Sequence, residues 1–314
     1  STLLTHLTGG SAGREGASIQ FGGSIGNWLG KLAHLDEFDH HVMIMCGMSA
    51  AFAAVFGTPM AAAVFAMEVV SVGVMYYAAL LPCVIAAIIA AEFATGMGID
   101  PETFPVHSIP GLTVETGLKM TLIAVGCGIL SILFCILLKT VGQLYAKYLK
   151  NPYIRIAVAA GVIILITICL NTKDYMGAGS GLIARAIEKG EARPLDFLWK
   201  MLLTALTMRA GYRGGEIVPA FSIGATFGCV AGGILGFSPE LAAAASMVAL
   251  FCGVTNCPIT AMLISFELFG FSGAAYYLIA ISISYAVSGY YSLYKDQTIV
   301  YSKYKARYIN RKTR

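Results

Sequence analysis

The stretch Gly13-Arg14-Glu15-Gly16 decides the interpretation of this chain, because it places a carboxylate between glycines just ahead of a helix-forming run. Residues 17–26 are apolar and rich in small side chains, which is typical of a closely packed helix. Glycines let backbone N–H groups turn toward a ligand, and a helix N-terminus adds unpaired N–H groups and the positive end of its dipole. The stretch therefore predicts an anion site with Glu15 beside it. The alternative is an Arg14–Glu15 pair on a solvated loop.

The composition indicates an integral membrane protein. Hydrophobic residues make up 57% of the 314 residues and charged residues 12%, and the mean hydropathy is +0.75. A soluble domain carries about 25% charged residues, so this chain lacks the charges to cover a soluble surface. In a membrane protein, a carboxylate at an anion site suggests a gate that opens on protonation. The net charge of +4 is small and concentrated near the C-terminus, which predicts topology rather than a nucleic-acid partner.

The cysteines and histidines predict no metal site. The sequence contains no Cys-x-x-Cys pair and no cluster of cysteine with histidine. Nearly all of the eight cysteines lie in apolar segments, so we expect them to pack as small hydrophobic residues rather than to form disulfides or bind metal. We therefore predict neither a metal nor another cofactor.

Apolar stretches predict a series of helices, of which two are interrupted. Residues 42–70 contain Gly57-Thr58-Pro59, and residues 241–269 contain Asn256-Cys257-Pro258. Proline removes a helix hydrogen bond, and a broken helix is tolerated at membrane depth where it lines a cavity or is buried in protein. A short re-entrant segment is predicted within residues 171–194. Uninterrupted helices are predicted at residues 17–32, 76–93, 116–138, 156–170, 195–208, 220–235 and 274–291.

Charge in the connections predicts which side each one faces. Residues 95–115 carry acids and no lysine or arginine, whereas residues 139–155 carry basic residues and no acid. By the positive-inside rule the basic connection and the basic tail, residues 295–314, are cytoplasmic, and the acidic connection is external. Because the chain starts at Ser1 within apolar sequence and without a signal-peptide pattern, we expect an N-terminal part to be missing.

The two interrupted stretches indicate an internal repeat. Residues 57–68 align with residues 256–267, and in both a proline is followed nine residues later by a glutamate. Upstream, residues 17–22 align with residues 219–224. Matching interruptions in two halves are typical of transporters built from structural repeats, with the site at their interface. The predicted organisation is a first repeat over residues 1–138, a second over residues 139–294 and the tail over residues 295–314.

These motifs resemble those of the CLC family of chloride channels and anion/proton antiporters. Gly13-Arg14-Glu15-Gly16 is similar to the family's GREGP motif, with Ala17 in place of the proline, and Gly215-Glu216-Ile217-Val218-Pro219 is similar to its GxFxP motif. Ile299-Val300-Tyr301-Ser302 resembles the segment that carries the family's central tyrosine. The family's GSGIP motif, which lies upstream of GREGP, has no counterpart here. The resemblance implies an all-α integral membrane fold, a CLC-like inverted-repeat bundle with broken and re-entrant helices.

Departures from the common motifs resemble the fluoride/proton antiporter branch. Glu216 stands where chloride-type members carry an apolar residue, and Val69 follows Glu68 where chloride/proton antiporters carry a second glutamate. The Gly57-Thr58-Pro59 and Thr255-Asn256 forms resemble the same branch. The resemblance implies fluoride export in exchange for protons across a bacterial cell membrane, by a homodimer with one pore per subunit in the lipid bilayer.

The resemblance also assigns the site residues. The family's glutamate that matches Glu15 occupies an anion site when ionised and leaves it when protonated, so Glu15 is the predicted gating and proton-accepting residue. Arg14 is its predicted partner charge. For Ile217 and Val218 we expect the N–H groups, not the side chains, to face the anion, and Tyr301 is expected to donate its hydroxyl. The predicted anion-binding set is Arg14, Gly16, Glu216, Ile217, Val218, Asn256 and Tyr301.

Several of these residues have a structural alternative. Glu216 either stays neutral and donates a hydrogen bond to fluoride or forms a salt bridge with Arg213 or Arg209. Tyr301 either binds the anion or is one of many interfacial tyrosines. Asn256 either caps a helix or lines the anion path.

Glu68 is a predicted proton-path residue with a plainer alternative. Glu68 and Glu267 are symmetric in the repeat, and both are placed to satisfy exposed backbone N–H groups or to pair near helix ends. We prefer this structural role for Glu267.

Three rival functions remain open at the level of sequence. The first is a chloride channel or a chloride/proton antiporter of the same fold. The second is a membrane enzyme, which needs a His/Asp or Ser/Lys constellation in the spans, and because we find none we predict that the chain is not an enzyme. The third is a non-functional remnant that lacks part of the anion site.

Overall fold

The computed structural model describes residues 2–305 and 307–313, and α-helices dominate it. Within these residues, five segments are long and apolar enough to cross a membrane, namely α3, Tyr77–Gly96, α6, α7 and α10. The predicted all-α membrane fold is confirmed. In chain order the helices are α1 (Thr2–Leu7), α2 (Glu15–Leu32), α3 (Glu37–Phe56), α4 (Pro59–Glu68), α5 (Leu80–Gly96, preceded by the 3-10 turn Tyr77–Ala79), α6 (Val114–Tyr148), α7 (Pro152–Leu170), α8 (Ser180–Glu188), α9 (Asp196–Ala210), α10 (Ile217–Ile234), α11 (Pro239–Thr255), α12 (Pro258–Phe269) and α13 (Ala274–Val287).

Both long apolar stretches are broken where the sequence predicts. Gly57 follows α3 with φ 68°, and Asn256 follows α11 with φ 59°. Glycine and asparagine are the residues that tolerate this left-handed backbone. Pro59 and Pro258 then open α4 and α12, at a position where a missing N–H costs no hydrogen bond. The two predicted breaks are therefore confirmed.

The helices on either side of the breaks pack in the same way in both halves. α2 lies along α3, and α10 lies along α11. Gly22 of α2 is so close to the carbonyl of Gly47 that a Cβ on Gly22 would overlap it. Its counterpart Gly224 is equally close to α11, since a Cβ there would lie 2.5 Å from the Ser246 carbonyl oxygen. Missing side chains thus let the helix backbones touch in each half.

Each half also caps a helix of the other half. The buried Glu68 carboxylate, at the end of α4, accepts hydrogen bonds from the N–H groups of Ile259 and Thr260 at 3.1 and 2.8 Å and from the Thr260 hydroxyl at 2.6 Å. The Glu267 carboxylate, in α12, accepts from two N–H groups in the first turn of α4 at 2.8 and 3.0 Å. A carboxylate stabilises the positive end of a helix, so this exchange of caps joins the two halves. Satisfying exposed backbone N–H groups was the structural alternative for both glutamates.

The predicted basic connection at residues 139–155 is wrong in extent. α6 is one helix of 35 residues that continues to Tyr148, and only residues 149–151 separate it from α7. Basic side chains do not end a helix, whereas Asn151 and Pro152 provide the cap and the start of the next one. At 1.5 Å per residue a helix of this length spans about 50 Å, more than the roughly 30 Å hydrocarbon core. Its last turns therefore extend past the core, and the predicted boundary between residues 138 and 139 falls inside it.

A small sheet, which the all-α prediction did not include, fixes the tail. β1 (Ser71–Val72) pairs in parallel with β2 (Thr298–Tyr301), and β2 pairs antiparallel with β3 (Tyr308–Lys312). β1 directly follows α4, so the sheet ties the chain after α13 to the end of the first broken stretch. α13 itself ends at Val287 rather than at the predicted residue 291.

Candidate functional site

A two-bond bridge joins the two glycine motifs. The Gly13 N–H donates to the Gly215 carbonyl at 2.8 Å, and the Gly215 N–H donates to the Gly13 carbonyl at 2.7 Å. α2 begins at Glu15 and α10 at Ile217, inside the motifs rather than at the predicted residues 17 and 220. The bridge therefore sets two helix N-termini beside each other.

The N-termini of α2 and α10 offer free backbone donors. Among the described residues, no protein acceptor binds the N–H groups of Gly16 and Ala17 in α2 or of Ile217 and Val218 in α10. The side chains of Ile217 and Val218 are 2% and 6% exposed, so they belong to the packed interior and leave only the N–H groups for a ligand. Two helix N-termini that meet concentrate positive potential at one place, which suits an anion.

The Glu15 side chain fills part of this junction. It is 4% exposed, and its Oε2 atom is buried with no hydrogen-bond partner in the described part of the chain. A Cβ on Gly13 would overlap this oxygen, and one on Gly215 would lie 3.2 Å from it. Glycine at both positions thus creates the space that the carboxylate occupies. A buried ionisable group is expensive to keep, so Glu15 is a candidate for a functional role.

Arg14, the predicted partner charge, is near enough for its charge to act on the Glu15 carboxylate, but it does not form an ion pair with it. Its side chain is exposed, and within residues 2–305 no ion pair joins it to Glu15. A second cation, the buried Lys200 of α9, also interacts electrostatically with Glu15, and it was not among the predicted site residues. Lys200 donates to the Ser11 hydroxyl at 3.0 Å and to the carbonyls of Tyr175 and Gly177 at 3.1 and 2.7 Å. A lysine inside an otherwise apolar helix was the available signal.

Glu216 is held by an ion pair, which was one of its two predicted alternatives. The Arg209 Nη2 atom lies 3.1 Å from Glu216 Oε1. The other predicted partner, Arg213, makes no such contact in the described structure. Arg209 keeps one donor unused, because its Nε atom is buried with no partner among the described residues.

Two clefts flank this ion pair and share Arg209. The first, which we call the junction cleft, has a volume of about 630 Å³ and contains Gly16, Glu216 and Ile217. The second, the basic cleft, has a volume of about 600 Å³ and contains Lys139 of α6 and Lys295 of the tail, with no acid among its lining residues. The junction cleft is lined by Thr2, Gly16, Ala17, Gln20, Phe21, Ser24, Met208, Arg209, Tyr212, Arg213, Gly214, Gly215, Glu216, Ile217 and Tyr294.

The junction cleft is lined by Tyr212 and Tyr294, not by the predicted Tyr301. The Tyr212 hydroxyl is already bound to the Ile156 carbonyl at 3.5 Å. Tyr301 lies on β2, is 48% exposed and packs edge-on against Tyr308 with ring centroids 5.8 Å apart. Tyr294 lines the junction cleft, and its hydroxyl has no hydrogen-bond partner among the described residues. Strict alternation would put Tyr301 on the same face as the fully buried Ile299, but the pairing of β2 with β3 is irregular between these two residues, and Tyr301 is exposed.

Asn256 and Glu68 also lie away from the junction cleft. Asn256 is fully buried and is the left-handed residue that ends α11, so the structure gives it the capping position that was one of its alternatives. Both Asn256 and Glu68 line a different cleft of about 430 Å³, next to β1. The predicted site residues that the structure brings together at the junction are therefore Glu15, Gly16, Glu216, Ile217 and Val218.

Comparison with known proteins identifies the family. The profile of the voltage gated chloride channel family matches residues 1–289. The chain belongs to this family, the CLC family. It is 33% identical over 312 residues to a chloride/fluoride channel protein of Pseudomonas syringae pv. tomato, covering 96% of this chain and 68% of that protein. It is 28% identical over 272 residues to the H(+)/Cl(-) exchange transporter ClcA of Vibrio cholerae serotype O1, covering 82% of this chain and 58% of that protein.

A solved structure matches the fold closely. The crystal structure of a CLC-type fluoride/proton antiporter superposes with a TM-score of 0.90 at 35% identity, over 94% of this chain and 75% of that one. The predicted CLC resemblance and its all-α membrane fold are confirmed. CLC anion transport is the function that these relatives support.

Proposed function

We propose that the CLC protein formed by this chain exchanges fluoride for protons across a bacterial cell membrane, with Glu15 as the gate. The observation that carries the proposal is the buried, unpartnered Oε2 atom of Glu15 at the meeting point of two helix N-termini. The similarity to a CLC-type fluoride/proton antiporter supports fluoride as the anion.

The gate works by competition for one place. An ionised Glu15 carboxylate supplies the negative charge that the two N-termini and Lys200 attract. When Glu15 takes up a proton, that attraction is lost and the side chain leaves the space beside Gly13 and Gly215. An anion then enters and accepts hydrogen bonds from the N–H groups of Gly16, Ile217 and Val218. Proton uptake and anion binding both require that the ionised Glu15 carboxylate leave the junction. The movements of the proton and the anion are therefore coupled.

Fluoride needs strong donors, and the junction cleft supplies further ones. The fluoride ion is small and strongly hydrated, so its water shell is replaced only by good N–H and O–H donors. The Tyr294 hydroxyl and the unused Nε donor of Arg209 are both free for this task. Glu216 competes with the anion for the Arg209 guanidinium, and a neutral Glu216 carboxyl would instead donate to fluoride. The basic cleft, with Lys139 and Lys295, is the proposed route by which anions reach Arg209 from the cytoplasm.

The remaining parts of the proposal follow from the family resemblance. The protein would act as a homodimer with one pore in each subunit, embedded in the lipid bilayer, as a transporter rather than an enzyme. The two repeats would be residues 1–138 and 139–294, with residues 295–314 as a cytoplasmic tail. Glu68 remains a candidate for the proton path in addition to its capping bonds.

The second candidate is chloride transport by the same fold, because ClcA of Vibrio cholerae is named an H(+)/Cl(-) exchange transporter. Ion efflux from proteoliposomes that hold the purified protein separates the two. Vesicles are loaded with fluoride or with chloride, and the anion and the pH are followed together. Fluoride-selective efflux that drives protons inward supports the proposal. Equal chloride efflux, or anion efflux without proton movement, contradicts it.

A further inference from the structure

The segment between α13 and β2 is anchored by buried polar side chains. Lys303 donates from Nζ to the Asn256 side-chain oxygen, to the Tyr285 carbonyl at 3.1 Å and to the Ser288 hydroxyl at 3.1 Å. The same ammonium lies 4.0 Å from the centre of the Tyr285 ring. These contacts fix the tail to the C-terminal end of α13, where a positive charge is favourable.

Asn256 connects Lys303 to the segment between α13 and β2 through its own hydrogen bonds. Its Nδ2 atom donates to the Tyr291 carbonyl and to the Gln297 side-chain oxygen, both at 3.0 Å. Gln297 in turn donates from Nε2 to the carbonyls of Val69 and Thr255 at 2.9 and 2.7 Å. Lys303, Asn256 and Gln297, which we call the tail network, therefore hold the segment to the ends of α4, α11 and α13.

Tyr294 lies between the two residues of the segment that the tail network holds. Tyr291 is fixed on one side of it and Gln297 on the other. Next to it, the Leu293 N–H donates to the Val254 carbonyl at 2.9 Å, and the Tyr294 carbonyl accepts from the Thr313 hydroxyl at 2.7 Å. The backbone is thus held closely, whereas the hydroxyl is left free at the junction cleft.

Lys303 is suited to this task by its charge and its three donors. Burial lowers the pKa of Lys303 to about 8, so the ammonium keeps its proton at neutral pH. In the described part of the chain no carboxylate forms an ion pair with it. A partly buried ammonium without a carboxylate is held by its neutral acceptors, and its loss would leave those acceptors without a donor.

We propose that Lys303 is a positioning residue for Tyr294, acting through Asn256 and Gln297. The proposal rests on the proposed function, because it takes the Tyr294 hydroxyl to bind the transported anion. It gives a role to Asn256 that does not require contact with the anion. The network sets the distance between the Tyr294 hydroxyl and the N-termini of α2 and α10, and so sets affinity for the anion.

The test compares Lys303→Met with Lys305→Met in the intact protein. Lys305 is exposed and lies in the same tail, so its substitution removes the same charge without touching the tail network. Lys303→Met should raise the KM for fluoride about tenfold, the size of one lost hydrogen bond to a charged group, and leave the maximal rate within about twofold. Lys305→Met should leave both unchanged. A wild-type KM in Lys303→Met overturns the proposal.

A double-mutant cycle with Tyr294→Phe separates positioning from general stability. If Lys303 acts through the Tyr294 hydroxyl, Lys303→Met has no further effect on KM once that hydroxyl is gone. Additive effects on KM overturn the proposal. Asn256→Asp supplies a second variant in case Lys303→Met fails to fold, because it keeps the shape and the Lys303 contact but removes the two Nδ2 donor bonds. It should raise KM by a similar factor.

A readout without transport distinguishes failure of this proposal from failure of the proposed function. Hydrogen–deuterium exchange of the peptide that covers residues 289–297 should be faster in Lys303→Met and Asn256→Asp than in wild type and Lys305→Met. Unchanged exchange overturns the positioning role even if the protein carries fluoride. If the wild type carries chloride instead, the same cycle is run with chloride. Faster exchange with an unchanged KM for the transported anion also overturns the proposal.

Discussion

The carboxylates of four glutamates lie at the N-termini of the four helices that flank the junction and the breaks, namely Glu15 at α2, Glu216 at α10, Glu267 at α4 and Glu68 at α12. Glu15 differs from the other three. Glu68 and Glu267 accept two or more hydrogen bonds from helices of the opposite half, and Glu216 is paired with Arg209. Glu15 has one buried oxygen with no partner among the described residues. The same chemical group is therefore fixed by long-range partners at three places, and at the fourth it leaves one buried oxygen unpaired.

Under the proposed function, this difference makes Glu15 the side chain that can move while the other three stay in place. A carboxylate that satisfies two or three donors leaves them unpaired if it moves, so Glu68 and Glu267 stay in place. The Glu15 carboxylate interacts with the adjacent backbone N–H groups of Arg14 and Glu15, but it caps no helix of the opposite half, and its Oε2 atom has no partner among the described residues. It therefore has less to lose than Glu68 or Glu267 when it moves.

Glu15→Gln should abolish the coupling of protons to the anion. The amide cannot carry the charge that competes with fluoride, so anion flow should persist without proton movement, with proton flux reduced at least about tenfold. Fluoride and pH electrodes on the same vesicle suspension measure this ratio. Glu188→Gln, which neutralises an exposed glutamate of α8, should keep the wild-type ratio. Retained coupling in Glu15→Gln would place the gate elsewhere.

Gly13→Ala should force the Glu15 carboxylate out of the junction without changing its charge. A Cβ at residue 13 would overlap the Glu15 Oε2 atom, so the ionised Glu15 side chain could not keep its position. The anion would then compete less with the carboxylate for the junction. We expect anion flux at high pH, where Glu15 is ionised, to rise about fivefold, equivalent to about 1 kcal/mol. Gly181→Ala is the matched control, since a Cβ there meets nothing within 4 Å. An unchanged pH profile of flux in Gly13→Ala would contradict the competition.

Arg209→Met should weaken fluoride binding more than Glu216→Gln does. Removal of Arg209 leaves the Glu216 charge without its partner and removes the free Nε donor, whereas Glu216→Gln keeps the guanidinium at the cleft. We expect a rise in fluoride Kd of about tenfold for Arg209→Met and about threefold for Glu216→Gln, measured by isothermal titration calorimetry. Equal or reversed effects would show that Glu216, not Arg209, makes the main contact.

Glu68→Gln should lower stability more than Glu267→Gln, with little change in fluoride affinity in either variant. Glu68 accepts three hydrogen bonds and is buried, whereas Glu267 accepts two at a more exposed place. The expected losses are about 2 and about 1 kcal/mol, seen as lower melting temperatures in detergent. Lost proton coupling in Glu68→Gln at a wild-type melting temperature would instead assign Glu68 to the proton path.

Local sequence rules were sufficient for the breaks and for the position of Glu15 at a helix N-terminus. Gly57-Thr58-Pro59 and Asn256-Cys257-Pro258 each combine a residue that tolerates left-handed backbone with a proline that starts the next helix, so the breaks follow from backbone chemistry alone. The repeat of proline and glutamate placed Glu68 and Glu267 at equivalent positions. Their exchange of caps between halves was one of the open alternatives, because sequence does not tell which distant N–H groups a carboxylate meets.

Features that depend on long-range contact were less predictable. The basic residues at the end of α6 were predicted to form a loop. The same basic residues at a membrane edge are compatible with a loop and with a helix that continues past the membrane. Tyr301 was chosen over Tyr294 from a short local resemblance, and only the pairing of β2 with β1 and β3 decides which tyrosine reaches the junction cleft. Lys200 was missed because its acceptors come from two distant segments of the chain.

The most direct test of the account is the number of protons taken up when fluoride binds. Calorimetric titration of the purified protein with fluoride, in buffers of different ionisation enthalpy, gives this number at a pH where Glu15 is ionised. The account predicts uptake of about one proton per fluoride in wild type and none in Glu15→Gln, since binding requires a protonated Glu15. Fluoride binding without proton uptake in the wild type, or unchanged uptake in Glu15→Gln, would contradict it.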